Sequence, residues 1–327
     1  MELTRNALDK KDLKILYELE RDARQSYNEI AKKTGMSKEV VLYRVKNLEN
    51  SGLIKGYITE MDLYKLGFRM YPILFKFEEL PEKIEKEMTS FIKKSENIGW
   101  AAWCDGSWDL NIAPRVKNAT EVSVFLEEFD MRFGDYILEK QLMHTLQFNY
   151  FKRNFGFGES RRSIIKSGET TETLEVSSEE AKFLRSISLD ARKQISLLAK
   201  DAGVSVPTTI EMMRRLKKNQ ILQGFRIFTN FANLGHSYYK IWFNLRNMNK
   251  ENWKKLYSFL SFEPHVLWAT QTIGYYDFSV ELEIPSVREF QFFAKRLKAN
   301  FSDIIKRKDV LLVSDEILAS YFPSTIV

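Results

Sequence analysis

The chain has 327 residues, 44% of them hydrophobic and 29% charged, with a formal net charge of +6. No run of about 18 apolar residues occurs, which excludes a transmembrane helix, and the charged opening, 1–14, argues against a secretory leader, so a cytoplasmic location is expected. Cys104 is the single cysteine, which rules out an internal disulfide and a cysteine-rich zinc site. None of His144, His236 and His265 has a histidine partner at i+3 or i+4, and no metal or other cofactor is expected.

Asp9 opens a helical pattern in which Leu13, Leu16 and Leu19 recur every three residues. Asp9 is a candidate N-cap, with Asp12 as its capping-box partner. After the polar stretch 21–25, residues 26–33 predict a short helix burying Ile30 and Ala31. Gly35 supplies the positive φ that the turn at 34–36 needs. Ser37 caps a third helix whose Val41, Val45 and Leu48 face inward, and 53–58 alternates as one strand of a hairpin. Helix, short helix, glycine turn, capped helix and hairpin together predict a winged helix-turn-helix. The outward side of the third helix offers Ser37, Lys38, Tyr43, Arg44, Lys46 and Asn47, hydrogen-bonding and cationic groups suited to the base edges and phosphates of double-stranded DNA. Spacing alone also allows a three-helix bundle with a solvated basic face.

Further on, 71–78 reads as a strand, 81–95 as a helix, and 98–103 and 108–113 as strands joined by a turn at Asp105-Gly106-Ser107. A second helix at 119–132 and a long strand at 136–148 complete a β-α-β-β-α-β order. Trp100, Trp103 and Trp108 are expected to pack on a sheet face, with the lining of an apolar effector pocket as the alternative. The pattern then recurs at an offset of 168 (Trp100 to Trp268). Asp22-Ala23-Arg24 falls on Asp190-Ala191-Arg192, Gly35 and Ser37 on Gly203 and Ser205, and Gly106 and Asp109 on Gly274 and Asp277. The fold class is therefore α+β: two winged helix-turn-helix domains (1–62 and 174–230) alternate with two ferredoxin-like βαββαβ domains (63–151 and 231–327) across a polar linker, 152–173.

The copies differ where it matters for recognition. Lys38, Tyr43 and Arg44 become Val206, Glu211 and Met212, whereas Lys46-Asn47 becomes Arg214-Arg215, followed by Lys217-Lys218. Residues near a recognition helix's start usually contact bases and flanking cations hold phosphates. The first copy is thus expected to read more sequence. The second, through Ser205, Thr208, Arg214, Arg215 and Lys218, is expected to grip more backbone.

The string Asp22-Ala23-Arg24-Gln25-Ser26, with Ile30-Ala31, Gly35-Met36-Ser37 and Arg44-Val45-Lys46-Asn47-Leu48, then Gly52-Leu53-Ile54-Lys55-Gly56-Tyr57, resembles the DNA-binding domain of Lrp/AsnC (feast/famine) transcription regulators. The βαββαβ module, with Gly106-Ser107-Trp108-Asp109 and Gly274-Tyr275-Tyr276-Asp277, resembles that family's second, ligand-binding and dimerising domain, often called RAM. The resemblance implies that the third helix enters the major groove. It also implies that a small effector, commonly an amino acid, sits near the hairpin, which makes Asp105, Gly106, Asp109, Thr272, Gly274 and Asp277 candidates. A hairpin that simply needs glycine explains the same residues.

A sheet with helices on one face needs cover on the other. The two copies are therefore expected to form an intramolecular pseudo-dimer, with recognition helices on the order of 34 Å apart; a further homodimer stays open. Siroheme decarboxylases share the layout but would need histidine or other basic groups in the sheet cavity, and the hairpins offer no histidine. The expectation is a regulator rather than an enzyme, with the decarboxylase and an effector-sensing module with degenerate DNA binding as alternatives.

Overall fold

A computed structural model describes residues 8–158, 161–168, 170, 172–319 and 322. The first copy runs α1 (Lys10–Arg21), α2 (Tyr27–Thr34), α3 (Lys38–Asn50), β1 (Ile54–Met61), β2 (Arg69–Met70), β3 (Ile73–Phe77), α4 (Glu82–Lys94), β4 (Ile98–Gly106), β5 (Leu110–Val116), α5 (Ala119–Phe133) and β6 (Ile137–Phe151). β7 (Ile164–Gly168) follows. The second copy is α6 (Ser178–Leu189), α7 (Ile195–Ala202), α8 (Val206–Lys218), β8 (Leu222–Thr229), β9 (Ser237–Leu245), α9 (Lys250–Phe262), β10 (Val266–Gly274), β11 (Phe278–Ile284), α10 (Val287–Phe301) and β12 (Ile305–Ala319).

Local chemistry sets these bounds. The Asp9 carboxylate accepts the Lys11 and Asp12 N–H groups while Asp12 accepts that of Asp9, a complete capping box at the start of α1. Gly35 ends α2 at φ +70°, a conformation glycine adopts without strain. The buried stripe of α1 is Ile15, Leu16 and Leu19 rather than Leu13, Leu16 and Leu19, because Leu13 lies at the rim of the core and is only partly covered.

Eight strands close into one ring. Their order is β10-β11-β9-β12-β4-β5-β3-β6, and β6 pairs back to β10. Each copy supplies four strands, and the copies meet at two seams. At one, β12 pairs with β4 (Leu311 opposite Gly106); at the other, β10 pairs with β6 (Gly274 opposite Met143). Closure leaves neither four-stranded sheet with an open edge on this path. α4 and α5 cover one half through Phe75, Met88, Ile92 and Phe129; α9 and α10 cover the other through Phe243, Leu256, Leu260 and Phe293. Inward strand residues, among them Leu74 and Trp242, form a third core inside the ring together with Trp108 and Tyr276 from the hairpin turns. The uncovered faces of the two sheets are thus covered by each other, within one chain.

Two expectations change. The hairpin expected inside each helix-turn-helix domain does not form: β1 pairs antiparallel with β8 of the other copy, Tyr57 opposite Ile227. Each copy has one strand there with no local mate, and the repeat supplies it. The segment 152–173 is more than a polar joint, because β7 extends the sheet beside β6. Arg162, 5% exposed, also donates to the carbonyls of Leu260 and Val266.

The repeated Asp-Ala-Arg strings interlock the two helix-turn-helix domains. Arg24 donates to the carbonyls of Ala191 and Lys193 at 2.6 and 3.0 Å, and Arg192 donates to that of Ala23. No helix among the described residues is long and apolar enough to cross a membrane.

His236 and His265 sit with ring centroids 6.1 Å apart. Burial lowers the pKa of each below the ordinary 6.5. As pH falls below about 6.5, the unfolded chain therefore takes up protons before the folded one, and stability present at neutral pH is lost. The melting temperature should fall between pH 7 and 5.5, and fall less in the His236→Gln/His265→Gln double variant. An identical decline in both proteins would contradict this.

Candidate nucleic-acid interface

Ser37 caps α3 by accepting the Val40 N–H at 3.3 Å. From that helix Lys38, Tyr43, Lys46 and Asn47 project into solvent, Tyr43 at 67% exposure. They form one cationic, donor-rich surface. Arg44 is placed differently. Its guanidinium lies 2.8 Å from Asp9 and 2.7 Å from Asp12, so it pins α3 to the start of α1 and its charge is neutralised there. The two acids that cap α1 thus also hold the arginine. Arg44→Ala should lower the melting midpoint measurably but modestly, since the pair is partly exposed. Thermal unfolding would show this, and an unchanged midpoint would assign Arg44 back to the open surface.

On α8, Ser205 accepts the Thr208 N–H, and its hydroxyl shares a 2.8 Å hydrogen bond with that of Thr208. Among the described residues Arg214 pairs only with the exposed Glu211, at 3.4 Å. Arg215 reaches Glu180 at 2.7 Å, the acid that completes the capping box of α6. Lys218 is exposed. The cations of α8 least tied to the fold are therefore Arg214 and Lys218. In each copy one arginine is held by a capping acid, but from a different position along the helix.

The six hairpin candidates sit in or beside the two hairpins, where the copies meet. Gly106 has φ +140°, and a Cβ there would lie 2.5 Å from the Val310 carbonyl oxygen; Gly274 has φ +134°, with the Leu142 carbonyl at 2.7 Å. Both glycines let a strand of the other copy approach. Asp109 accepts the Phe77 N–H at 2.8 Å and pairs with Lys76, and Asp277 accepts the Leu245 N–H at 2.7 Å. Thr272 is buried and donates to the Tyr276 carbonyl, while Asp105 is exposed. The two hairpins touch where the Trp108 indole donates to the Tyr276 hydroxyl at 3.0 Å.

A cavity of about 120 Å³ lies inside the ring next to β1, and none of the six lines it. Met61, Met70, Trp100, Lys240, Trp242 and Glu281 are among the residues that do. Lys240 and Glu281 form an ion pair of 2.9 Å with both side chains under a tenth exposed. The ammonium also sits 4.6 Å over the Trp100 ring and 4.8 Å over Trp242. Of the three tryptophans singled out in the sequence, Trp100 lines this space, Trp103 packs toward the helices and Trp108 fills the ring. The signal that could have found the rest is the inward run Tyr238, Lys240, Trp242, a lysine at a position where apolar residues belong.

Residues 8–55 match the family described as winged helix-turn-helix DNA-binding. The HTH-type transcriptional regulator Ptr1 of Methanocaldococcus jannaschii is 32% identical over 121 residues, which span 37% of this chain and 80% of that protein. The regulator LrpA of Pyrococcus horikoshii is 42% identical over 77 residues, 24% of this chain and 54% of that protein. Among solved structures, the siroheme decarboxylase NirDL superposes with a TM-score of 0.61 over 95% of this chain and 94% of that one, at 14% identity, which is a likeness of fold. One-copy regulators are thus matched by sequence, and a chain of equal extent by fold. The chain belongs to the Lrp/AsnC family of transcription regulators and carries the family's two-domain unit twice.

Proposed function

We propose that the protein works as a self-contained DNA-reading pseudo-dimer, with α3 contacting bases and α8 chiefly holding phosphates. The observation that carries this reading is the coupling of both helix-turn-helix domains through the β1–β8 ribbon and the Arg24 and Arg192 bonds, with Lys38, Tyr43, Lys46 and Asn47 left facing solvent. A dimer of separate subunits presents two identical helices, whereas this chain presents two unlike ones in a fixed relation. Its operator would then have two unequal half-sites about one helical turn apart. Fluorescence anisotropy with promoter DNA at rising salt tests the reading. Affinity should fall steeply, as counterions released from phosphates require; affinity that ignores salt would speak against it.

The shared fold with NirDL, together with a lysine and aromatic rings inside the ring of strands, keeps a second reading in view, a tetrapyrrole decarboxylase. Arg69, Arg115 and Lys240 line the cavity and supply basic groups there, although none of the three histidines does. What favours the regulator is α3, which carries a solvent-facing basic surface that such an enzyme would not use. Adding siroheme separates the readings: the regulator leaves the Soret band unshifted, and the enzyme shifts it.

A further inference from the structure

The cavity inside the ring has two unlike sides, and the duplication created the difference. At the 168 offset, Tyr238, Lys240 and Glu281 correspond to Met70, Pro72 and Ala113, and all six line the same space. Two identical subunits would place the same residues on both sides. Here Met70, Pro72 and Ala113 of one copy face Tyr238 and the buried Lys240–Glu281 pair of the other, while Arg69 and Arg115 also line the first copy's side.

The second copy's side holds donors without acceptors. Trp242 is fully buried and lines the cavity, yet its indole N–H has no hydrogen-bond partner among the described residues. Ser279, directly across from Trp242 on β11, is also fully buried with no partner for its hydroxyl among the described residues, although it does not line the space itself. A buried polar group without a partner is costly, and an acceptor brought by a ligand removes that cost. Lys240 has three donors, of which Glu281 takes one. Glu316 already accepts the Trp100 indole N–H at 2.9 Å. The Lys240 ammonium and the unpartnered Trp242 indole N–H therefore favour a ligand that brings an acceptor.

Shape and wall chemistry favour a ring. The space is of the order of the roughly 150 Å³ cavity that accepts benzene. Its walls include Trp100, Trp242 and Trp268, with Phe148 stacked on Trp268 at 4.4 Å between centroids. Gly99 widens one wall: a Cβ there would come within 3.0 Å of the Arg115 guanidinium.

We propose that the cavity binds a small aromatic carboxylate, its ring against Met70, Pro72 and Ala113 and its carboxylate accepting the Trp242 indole N–H beside Lys240. This site is separate from the glycine hairpins. It also touches the reading head, because Glu60 and Met61 of β1 line the same space and Glu60 pairs with Arg226 on β8. A ligand there contacts the ribbon that joins both helix-turn-helix domains and shifts their alignment on DNA. This coupling rests on the regulator reading; the binding site does not.

The test titrates the full chain, followed by tryptophan fluorescence and calorimetry. Phenylacetate and L-phenylalanine share the ring and carboxylate and differ in the amino group. Toluene lacks the carboxylate, and phenethylamine replaces it with a cation. Phenylacetate, L-phenylalanine or both should bind saturably, tighter than about 1 mM, and the tighter of the two identifies the source of the carboxylate. Toluene and phenethylamine should bind at least tenfold more weakly. Trp242→Phe keeps the ring and loses the N–H, and should weaken binding by about tenfold to a hundredfold. Ala113→Leu should abolish binding by filling the space, with thermal unfolding confirming that both variants are folded. Absence of binding by either acid, equal binding of toluene or phenethylamine, or an unaffected folded Trp242→Phe variant would each overturn the site. Repeating the anisotropy measurement with saturating ligand tests the coupling. Unchanged DNA affinity removes the coupling and leaves the site, whereas failure to bind DNA at any ligand concentration removes the regulator reading alone.

Discussion

Gly106→Ala is expected to lower the free energy of unfolding by about 3 kcal/mol or more. Two costs combine. The backbone sits at φ +140°, where a side chain is strained, and the new Cβ would lie 2.5 Å from the Val310 carbonyl oxygen. That oxygen belongs to β12, the strand through which the second copy pairs with β4, so relief requires opening the seam. Gly274→Ala should behave alike, because it meets the Leu142 carbonyl at 2.7 Å on the opposite seam. Gly56→Ala is the control: nothing lies within 4 Å of its Cβ position, and the change should stay within about 0.5 kcal/mol. Urea unfolding of the three variants measures the contrast. Equal midpoints for Gly106→Ala and Gly56→Ala would mean that the hairpin glycine serves something other than closure of the ring.

The second large effect concerns DNA. Replacing Lys46 and Asn47 together on α3 with alanine should lower affinity for the preferred site by roughly 1–3 kcal/mol for each base edge that the helix no longer reads, with little change for unrelated sequence. Replacing Arg214 and Lys218 on α8 should instead weaken binding to all sequences and reduce the steepness of the salt dependence by about one unit per cation. The distinction follows from the exposed residues. α3 presents an amide, a phenol and lysines, whereas the open cations of α8 are Arg214 and Lys218, with Arg215 tied to Glu180. Anisotropy on specific and random duplexes at about 50 and 200 mM salt separates the two patterns. Equal weakening of specific and random binding in both variants would remove the division of labour.

Much of this architecture is legible in the sequence, because it rests on local signals. The Asp9 and Ser37 caps and Gly35 each act within a few residues. The pairing of the copies follows from helices that cover only one face of each sheet. What stays hidden is set by distant contacts. The partner of β1 is 168 residues away in the repeat, and nothing near 54–61 announces it. Arg44 looks like a groove-facing cation until the fold brings Asp9 and Asp12 to it. The hairpin glycines suggest a ligand loop by resemblance, yet their lack of a side chain admits the strands of the other copy. The cavity escapes local reading for the same reason, since equivalent strands of different copies bring unlike residues to it.

The most direct test of a single-chain reading head is selection of bound duplexes from a random library by the intact protein, followed by the stoichiometry of the best complex. The account predicts one chain on two unequal half-sites about one helical turn apart, the half under α3 the more sharply defined. A perfect palindrome held by two chains, or no enrichment even at low salt, would contradict it.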